Sequence, residues 1–495
     1  MNEEISDSDL VGQRRRKLTE LQSTGVNPFK ARFGREYRLG EIVEKYGHLE
    51  AEQEASESIT TAGRIMIIRR HGKVSFCVIQ DRTGQIQLYL LEEVLGERYE
   101  EFLSLDIGDI VGVAGPVVRT RRGELSVKVR SFELLTKSLR PLPEKWHGLK
   151  DVETRFRQRY ADLIVNEKAR ATLLTRTRII KAIRRYLDER DFIEVETPML
   201  QPIPGGATAR PFVTHHNALD IDLYMRIAPE LYLKRLIVGE MDRVYELNRN
   251  FRNEGISVRH NPEFTMVEVY KAYADYRDMM DLAEELIKEA ALAAQGTLNL
   301  VYQEKELDLS GDWDRLTMIE SIGRYGGVEV SFDMALDELK RIAGEKDIHY
   351  EKHFGKGKVI NELFEQLVQT KLFRPTFITD YPVEISPLAR RREDAPNLTE
   401  RWELIIAGLE LGTAFSELTN PVEQAERFSA QAQARAEGDE EAQLMDEDFV
   451  RALEYGMPPT GGLGVGIDRL VMILTDNYSI REVIGFPHMR PEAKQ

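Results

Sequence analysis

Within residues 251–270, FRNEGISVRHNPEFTMVEVY, one arginine, a polar loop and a ladder of acidic and aromatic side chains occur together. That combination can hold a phosphate, a purine ring and an amine. In the strand leading in, period-two alternation places Val244, Glu246, Asn248, Asn250 and Arg252 on one face and Tyr245, Leu247, Arg249 and Phe251 on the other. The same period groups Phe264, Met266, Glu268 and Tyr270, while Val267 and Val269 turn the opposite way to pack. If the two faces coincide, a guanidinium, an aromatic plate and a carboxylate share one surface. On alternation alone the stretch reads equally well as an antiparallel hairpin with a long charged loop.

A second constellation, GGLGVGIDRL at Gly461 to Leu470, follows ERWELIIAGLELGTAFSELTNP. Glycines there would let backbone approach a ligand closely, and Arg469 could lie over a purine ring. A glycine run alone is a weak signal. The chain has no Walker A sequence, so phosphate binding would depend on arginines and a metal. Nine histidines and a single cysteine give no support to Ser-His-Asp hydrolysis or cysteine catalysis. That cysteine, Cys77 in VSFCVI, reads as core; it excludes an intramolecular disulfide and a cysteine zinc cluster and agrees with a reducing compartment.

The 251–270 run resembles motif 2 of the class II aminoacyl-tRNA synthetases, with wording close to that of the bacterial lysyl-tRNA synthetases. GxGxDR opening an apolar helix resembles motif 3. A helix over Glu167 to Glu189, a strand over Phe192 to Glu196 and the proline of VETPML resemble motif 1, which builds the dimer interface in that family. The three occur in the expected order, and the resemblance covers roughly residues 8 to 490. It implies a cytoplasmic homodimer, with no membrane segment, that activates lysine with ATP and Mg²⁺ and transfers it to the terminal ribose of tRNA(Lys). Arg252 would grip the α-phosphate and, with Arg469, carry the catalysis. Glu254 would accept from the adenine amine, Phe264 would stack on the ring, Arg469 would cover its other side and His260 would reach the terminal phosphates. Glu403 and Glu410 would bind Mg²⁺ through oxygen ligands, as that hard cation prefers. They are seven residues apart, so an unbroken strand would aim them at opposite faces, and a bulge or turn near Gly408 is expected.

Substrate choice follows from charge. A side-chain ammonium needs buried carboxylates, whereas aspartate needs a cation. By the resemblance Glu230 takes the α-amine, and Glu268, Tyr270 and Glu417 surround the ε-amine. Three acids in one pocket are costly unless a cation enters, and that cost supplies discrimination. Thr413 stands where the family usually has asparagine, so the family's role is not carried over to it. The alternatives are an aspartyl- or asparaginyl-tRNA synthetase, which Glu268 and Glu417 oppose, and a non-catalytic synthetase-like tRNA-binding protein, which would have no use for Arg252, Arg469, Glu403 and Glu410 together.

The elements that must position these residues point to an α+β chain. Its 495 residues are too many for one core. Residues 1–57 read as an N-terminal helical extension, with a short helix near residues 8–24 capped by Ser8 and stopped by Gly25; its basic run Arg14 to Lys17 suits either a solvated face or a nucleic-acid backbone. Residues 58–140 hold five alternating runs with hairpin turns at RTG and RRG, the right size for a five-stranded OB-fold barrel. The resemblance makes that barrel the anticodon-binding domain and Phe76, Gln87 and Glu124 its candidates for base contact. Residues 141–166 read as a linker, and 167–495 as the class II catalytic domain, an antiparallel sheet flanked by helices. Within the latter, Asp278 to Ala294 reads as an amphipathic helix and Gln424 to Val450 as an acidic surface helix. The net charge of −16 is uneven: residues 1–150 carry 24 Lys+Arg and 23 Asp+Glu out of totals of 68 and 84, so the first third can meet phosphate without a large repulsive field. The acidic start, MNEEISDSDL, and the lack of a long apolar run argue against a signal peptide or a membrane helix.

Overall fold

The computed structural model describes residues 7–143, 151–436 and 442–492, in two compact units divided at Lys150 and Asp151. The first unit is built on six strands: β1 (Glu54–His71), β2 (Val74–Gln80), β3 (Gln85–Leu91), β4 (Ile110–Arg119), β5 (Leu125–Lys128) and β6 (Ser131–Thr136). They follow the order β1-β2-β3-β5-β4-β6, and a further β1–β4 pairing closes the barrel. β1 is long enough to serve both partners. Its first half pairs with β4, its second with β2, and the register shifts between Ile65 and Ile67 where the strand changes neighbour. The last of the five expected runs divides: β5 pairs with β3 and β4, and beyond Val129 and Arg130 the chain pairs with a different part of β4 as β6. Cys77, Ile79, Leu88, Val113 and Val127 fill the interior.

A helix, Asp7–Ser23, lies against the barrel. It already includes Asp7, one residue before Ser8. One member of its basic run, Arg14, is neither solvated nor open to phosphate: it is buried and donates to the carbonyls of Ile107 (2.9 Å) and Arg140 (2.8 Å), main-chain acceptors that the barrel end leaves over. Lys17 stays partly exposed and pairs with Asp106 at 2.6 Å.

The second unit contains the eight-stranded sheet on which the chemistry rests. Its strands are β7 (Ile193–Glu194), β11 (Arg243–Phe251), β12 (Glu263–Ala272), β15 (Asp314–Thr317), β16 (Thr376–Thr379), β17 (Arg401–Ile406), β18 (Leu409–Ser416) and β19 (Thr460–Gly466), in the order β15-β16-β17-β18-β19-β12-β11-β7. Only the two outermost pairings are parallel; the six strands between them are antiparallel. A small sheet of β8 (Leu200–Gln201), β9 (Val213–His216) and β10 (Ile221–Met225) and a hairpin of β13 (Asn299–Tyr302) and β14 (Lys305–Asp308) complete the set. Alternation gives the large sheet two unlike faces. Trp402, Leu404 and Ile406 of β17, Leu411 and Ala414 of β18 and Leu463 of β19 pack into the core with the helix Tyr276–Gln295 and the helix Ile467–Leu474. The opposite face carries the candidate site.

The span read as a linker is largely structured. Residues 144–150 lie outside the described residues, but Val152–Arg157 and Arg159–Val165 are helices of the second unit. Their charges looked solvated because some of the partners, Glu482 and the Arg481 carbonyl among them, are remote in sequence. Arg159, fully buried, bonds Asp162 at 2.7 Å and the Arg481 carbonyl at 2.7 Å. The helix Glu167–Asp188 and the short β7 follow, close to expectation. The acidic stretch over Gln424 to Val450 forms two helices, Pro421–Ala436 and Glu447–Glu454, with 437–441 outside the described residues. No helix among the described residues is long and apolar enough to cross a membrane.

Candidate functional site

The β11–β12 hairpin brings its two polar faces together. Val244 pairs with Tyr270, Glu246 with Glu268, and Asn250 with Phe264, so alternate residues of both strands project to the same side. Beyond Asn250, Arg252 places its guanidinium 5.0 Å from the centroid of the Phe264 ring. Its buried Nε has no hydrogen-bond partner among the described residues, so the fork has donor capacity left for a ligand. The loop after it is ordered by Ser257, whose hydroxyl accepts from the backbone N–H of Arg259 and of His260, both at 3.1 Å. Arg469 Nη2 donates to His260 Nε2 at 3.0 Å. Since guanidinium only donates, Nδ1 carries the imidazole proton and donates to Ser257 Oγ at 3.0 Å. Burial and then the Arg469 charge hold this histidine below its usual range, which favours the neutral tautomer.

One cavity is bordered by Arg252, Glu254, His260, Phe264 and Arg469, all five residues expected at a nucleotide, together with Glu410. A second cavity is bordered by Glu230, Glu268 and Tyr270, and the two share Arg252, Met266, Thr413 and Gly464. An arginine therefore stands where a cationic, aromatic chamber meets an acidic one. Tyr270 donates to Glu268 Oε2 at 3.1 Å. Burial, and then the charge of Glu230, push the Glu268 carboxyl up to about 8. Thr413, whose role the sequence leaves open, spends its hydroxyl on the Trp402 carbonyl at 3.0 Å.

Glu417 departs from expectation. It does not border the acidic cavity; it lies behind the wall, fully buried, in contact with Lys234. Lys234 also bonds Glu230 at 2.6 Å. The sequence reading missed this lysine, although its position four residues after Glu230 on the helix Glu230–Val238 is the spacing that puts two side chains on one face. The glycines of GGLGVG also act differently from a loop over a ligand. They form β19, between β12 and β18. A Cβ at Gly462 would collide with Glu417 Oε1 and come within 2.6 Å of Tyr270 Cε1, and one at Gly464 would lie 3.1 Å from Met266 Cε. Missing side chains there make room for the protein's own acids and aromatics. Asp468, also unnoticed in sequence, fixes the start of the next helix by accepting from the Thr265 backbone N–H at 2.6 Å and from Arg176 at 2.5 Å.

Between Glu403 and Glu410 the chain turns through Ala407 and Gly408, both at positive φ (52° and 74°), into β18. The register also shifts after Leu404. Glu403 then pairs with Thr413 and Glu410 with Ile405, and the two acids face the same side of adjacent strands. Glu410 borders the nucleotide cavity and Glu403 does not. Each is met by an arginine: Arg401 reaches Glu403 at 2.6 Å, and Arg469 reaches Glu410 at 3.2 Å. Burial and the Glu410 charge raise the Glu403 carboxyl against Arg401, while Arg469 and Arg252 outweigh burial and hold Glu410 low. Among the described residues no group of three or more possible metal ligands occurs. Two carboxylates suit Mg²⁺, which commonly takes one or two of them and completes its shell with water and substrate phosphates.

On the barrel, Phe76, Gln87 and Glu124 border one groove with Arg69, Arg119 and Lys128. Phe76 stacks on Tyr89, its partner across β2 and β3, with centroids 5.4 Å apart and planes 8° from parallel. Gln87 donates to Ser126 Oγ at 2.9 Å.

Comparison with known proteins agrees with this division. Residues 151–490 match the family described as tRNA synthetases class II (D, K and N), and residues 59–135 match the OB-fold nucleic acid binding domain. The chain is 56% identical to a lysine–tRNA ligase of Moorella thermoacetica, covering 98% of this chain and 99% of the relative. It is 54% identical to that of Carboxydothermus hydrogenoformans (98% of each) and 52% identical to that of Bacillus subtilis (99% of this chain, 98% of the relative).

Proposed function

This chain belongs to the class II tRNA synthetases of the D, K and N group, and from that premise we infer that it is a lysine–tRNA ligase whose two steps run on the paired cavities. The observation that carries this reading is the meeting of an acidic chamber with a cationic, aromatic one at Arg252. In the first step a lysine carboxylate oxygen attacks the α-phosphorus of ATP in line; the bond to the β-phosphate breaks and pyrophosphate leaves. No side-chain base is needed, because the nucleophile is already ionised. Arg252 draws the α-phosphate and the carboxylate together and offsets the charge that builds there. Phe264 and Arg469 hold the adenine between them, Glu254 accepts from its amine, and His260 reaches the outer phosphates. Mg²⁺, held by Glu403 and Glu410 together with phosphate oxygens, would neutralise charge on the departing pyrophosphate. In the second step a hydroxyl of the terminal ribose of tRNA attacks the acyl carbon and AMP leaves.

Glu230 takes the substrate α-ammonium, and Glu268 with Tyr270 takes the ε-ammonium, with Glu417 acting from behind the wall. An aspartate side chain would meet Glu268 where it needs a cation. Phe76, Gln87 and Glu124 contact the anticodon, and the chain works as a cytoplasmic homodimer. Exchange of labelled pyrophosphate into ATP, run in parallel with lysine, aspartate and asparagine, tests the activation step. Exchange with lysine alone is expected; exchange with another amino acid overturns the specificity, and none with any overturns the activation reading. Light scattering of the purified chain, expected at twice the 56.9 kDa chain mass, tests the dimer.

A further inference from the structure

Lys234 is the one described residue whose ammonium lies between Glu230, which borders the acidic cavity, and Glu417, which lies behind its wall. It is fully buried, 2.6 Å from Glu230 Oε1, in contact with Glu417 Oε2, and 5.2 Å above the Phe415 ring. Its backbone belongs to the helix that begins at Glu230, whereas Glu417 follows the last residue of β18, so this ammonium ties helix to sheet directly behind the amine cavity. Without it, two buried carboxylates would face each other unpaired. A protein answers that situation by protonating one acid rather than by holding both charged. A protonated Glu230 would no longer present a full negative charge to an incoming ammonium. We propose that Lys234 is a positioning residue for amino-acid recognition, a resident ammonium that holds Glu230 and Glu417 ionised and fixed in direction so that Glu230 can meet the substrate α-ammonium.

This rests on the lysine-activating reading above and deepens it. Glu230, Glu268 and Glu417, offset by Lys234, leave two negative charges, which match the two ammonium groups of lysine while its carboxylate goes to Arg252. Glu417 is thus part of the frame rather than a wall of the cavity. The helix contributes Glu230 and Lys234 to this cluster, and β12 contributes Glu268 and Tyr270. Glu417 faces it from beyond β18, Arg401 from β17, and the Arg226–Glu246 pair, 2.6 Å apart, from β11 and the end of β10. Burial leaves the Glu230 and Glu417 carboxyls above their ordinary range, and Lys234 is the largest influence drawing each back towards the ionised form. At Lys234 burial alone would lower the ammonium, yet Glu230 and Glu417 outweigh it and the net direction is up.

The test is lysine-dependent pyrophosphate exchange as a function of pH, on the full chain, for wild type, K234M and K234R. K234M is expected to raise the KM for lysine about tenfold or more at neutral pH with the KM for ATP nearly unchanged. It is also expected to move the acid limb of kcat/KM for lysine upward by about one pH unit, because Glu230, without its counter-ion, then adds a second proton to the one on Glu268 that lysine must displace. K234R keeps the charge and should leave the limb where wild type has it. An unmoved limb in K234M, or an equal rise in both KM values, overturns the proposal and leaves Lys234 a structural ion pair. If thermal melting shows that K234M does not fold, K234M/E417Q compared with E417Q carries the test: the limb must lie higher in the double variant, and coincident limbs overturn the proposal. Absence of lysine-dependent exchange in wild type is a different outcome, which refutes the lysine-activating reading itself.

Discussion

Glu268 shows burial acting in two ways at a single residue. The same burial that pushes its carboxyl up to about 8 gives its ionised form a strong hold on an ammonium that replaces the lost water. The sign of the pH dependence follows. Below about 8 the empty pocket keeps a proton on Glu268 that lysine must displace. kcat/KM for lysine in pyrophosphate exchange should therefore rise with pH up to about 8 and fall again near 10.4, where the substrate ε-ammonium deprotonates. E268Q should abolish the rise and lower kcat/KM for lysine by about 100-fold or more, as loss of one partner from a buried charge pair does; a rise that persists in E268Q would assign it to another acid. Stability moves the opposite way. The folded carboxyl sits above its ordinary value of 4.5, so the native state binds the extra proton between there and about 8 and the empty protein loses stability as pH rises through that window. The thermal shift given by saturating lysine should grow over the same interval. Much of this was readable in sequence, since period-two alternation alone put Phe264, Glu268 and Tyr270 on one face. The placement of Glu417 was not, because alternation reports a face and not depth, and the lysine that claims it sits on another element.

Single elements carry constraints that no side chain reveals by itself. β19 is expected to tolerate no Cβ at Gly462, because Glu417 Oε1 and the Tyr270 ring occupy that space. G462A should raise the KM for lysine about tenfold or more while the KM for ATP stays near wild type, since the displaced groups belong to the amine pocket. Parallel losses for both substrates would mean that the whole strand had moved. At the β17–β18 turn, Gly408 has φ 74° and Thr370 Cα would lie 3.2 Å from an added Cβ. G408A should cost about 1–2 kcal/mol in denaturant unfolding, and should weaken activity only as far as Glu403 and Glu410 lose their common side. The need for that turn was legible from seven-residue spacing and strand geometry. The division of the last barrel run into β5 and β6 left a trace that was not read: the apolar phase passes from Leu125, Val127 and Val129 to Phe132 and Leu134, and the change of partner on β4 falls at that slip. Likewise the charges of residues 151–166 looked like a linker until Glu482 and the carbonyls of Arg481 and Ile484 supplied partners.

At the scale of the whole molecule, each unit has a core of its own, and every residue assigned to adenylate formation comes from the second. The near balance of charge in the first 150 residues, against the acidity of the rest, already separated a part that can approach phosphate from a part that mostly repels it. The barrel groove gives that separation a structure: a stacked Phe76–Tyr89 pair with basic side chains beside it is a platform for an unpaired base. Removing one aromatic from such a platform costs about 1–3 kcal/mol per base. F76A should therefore lower kcat/KM for tRNA in aminoacylation by roughly 5- to 150-fold, while lysine-dependent pyrophosphate exchange measured without tRNA stays at the wild-type rate. The second assay is the discriminating one, because a substitution that merely loosened the barrel would also lower its melting temperature, whereas Phe76 is only partly buried and its loss should leave folding intact. If exchange and aminoacylation fell together in a folded variant, adenylate formation would depend on the barrel, and the assignment of recognition to one unit and chemistry to the other would be wrong.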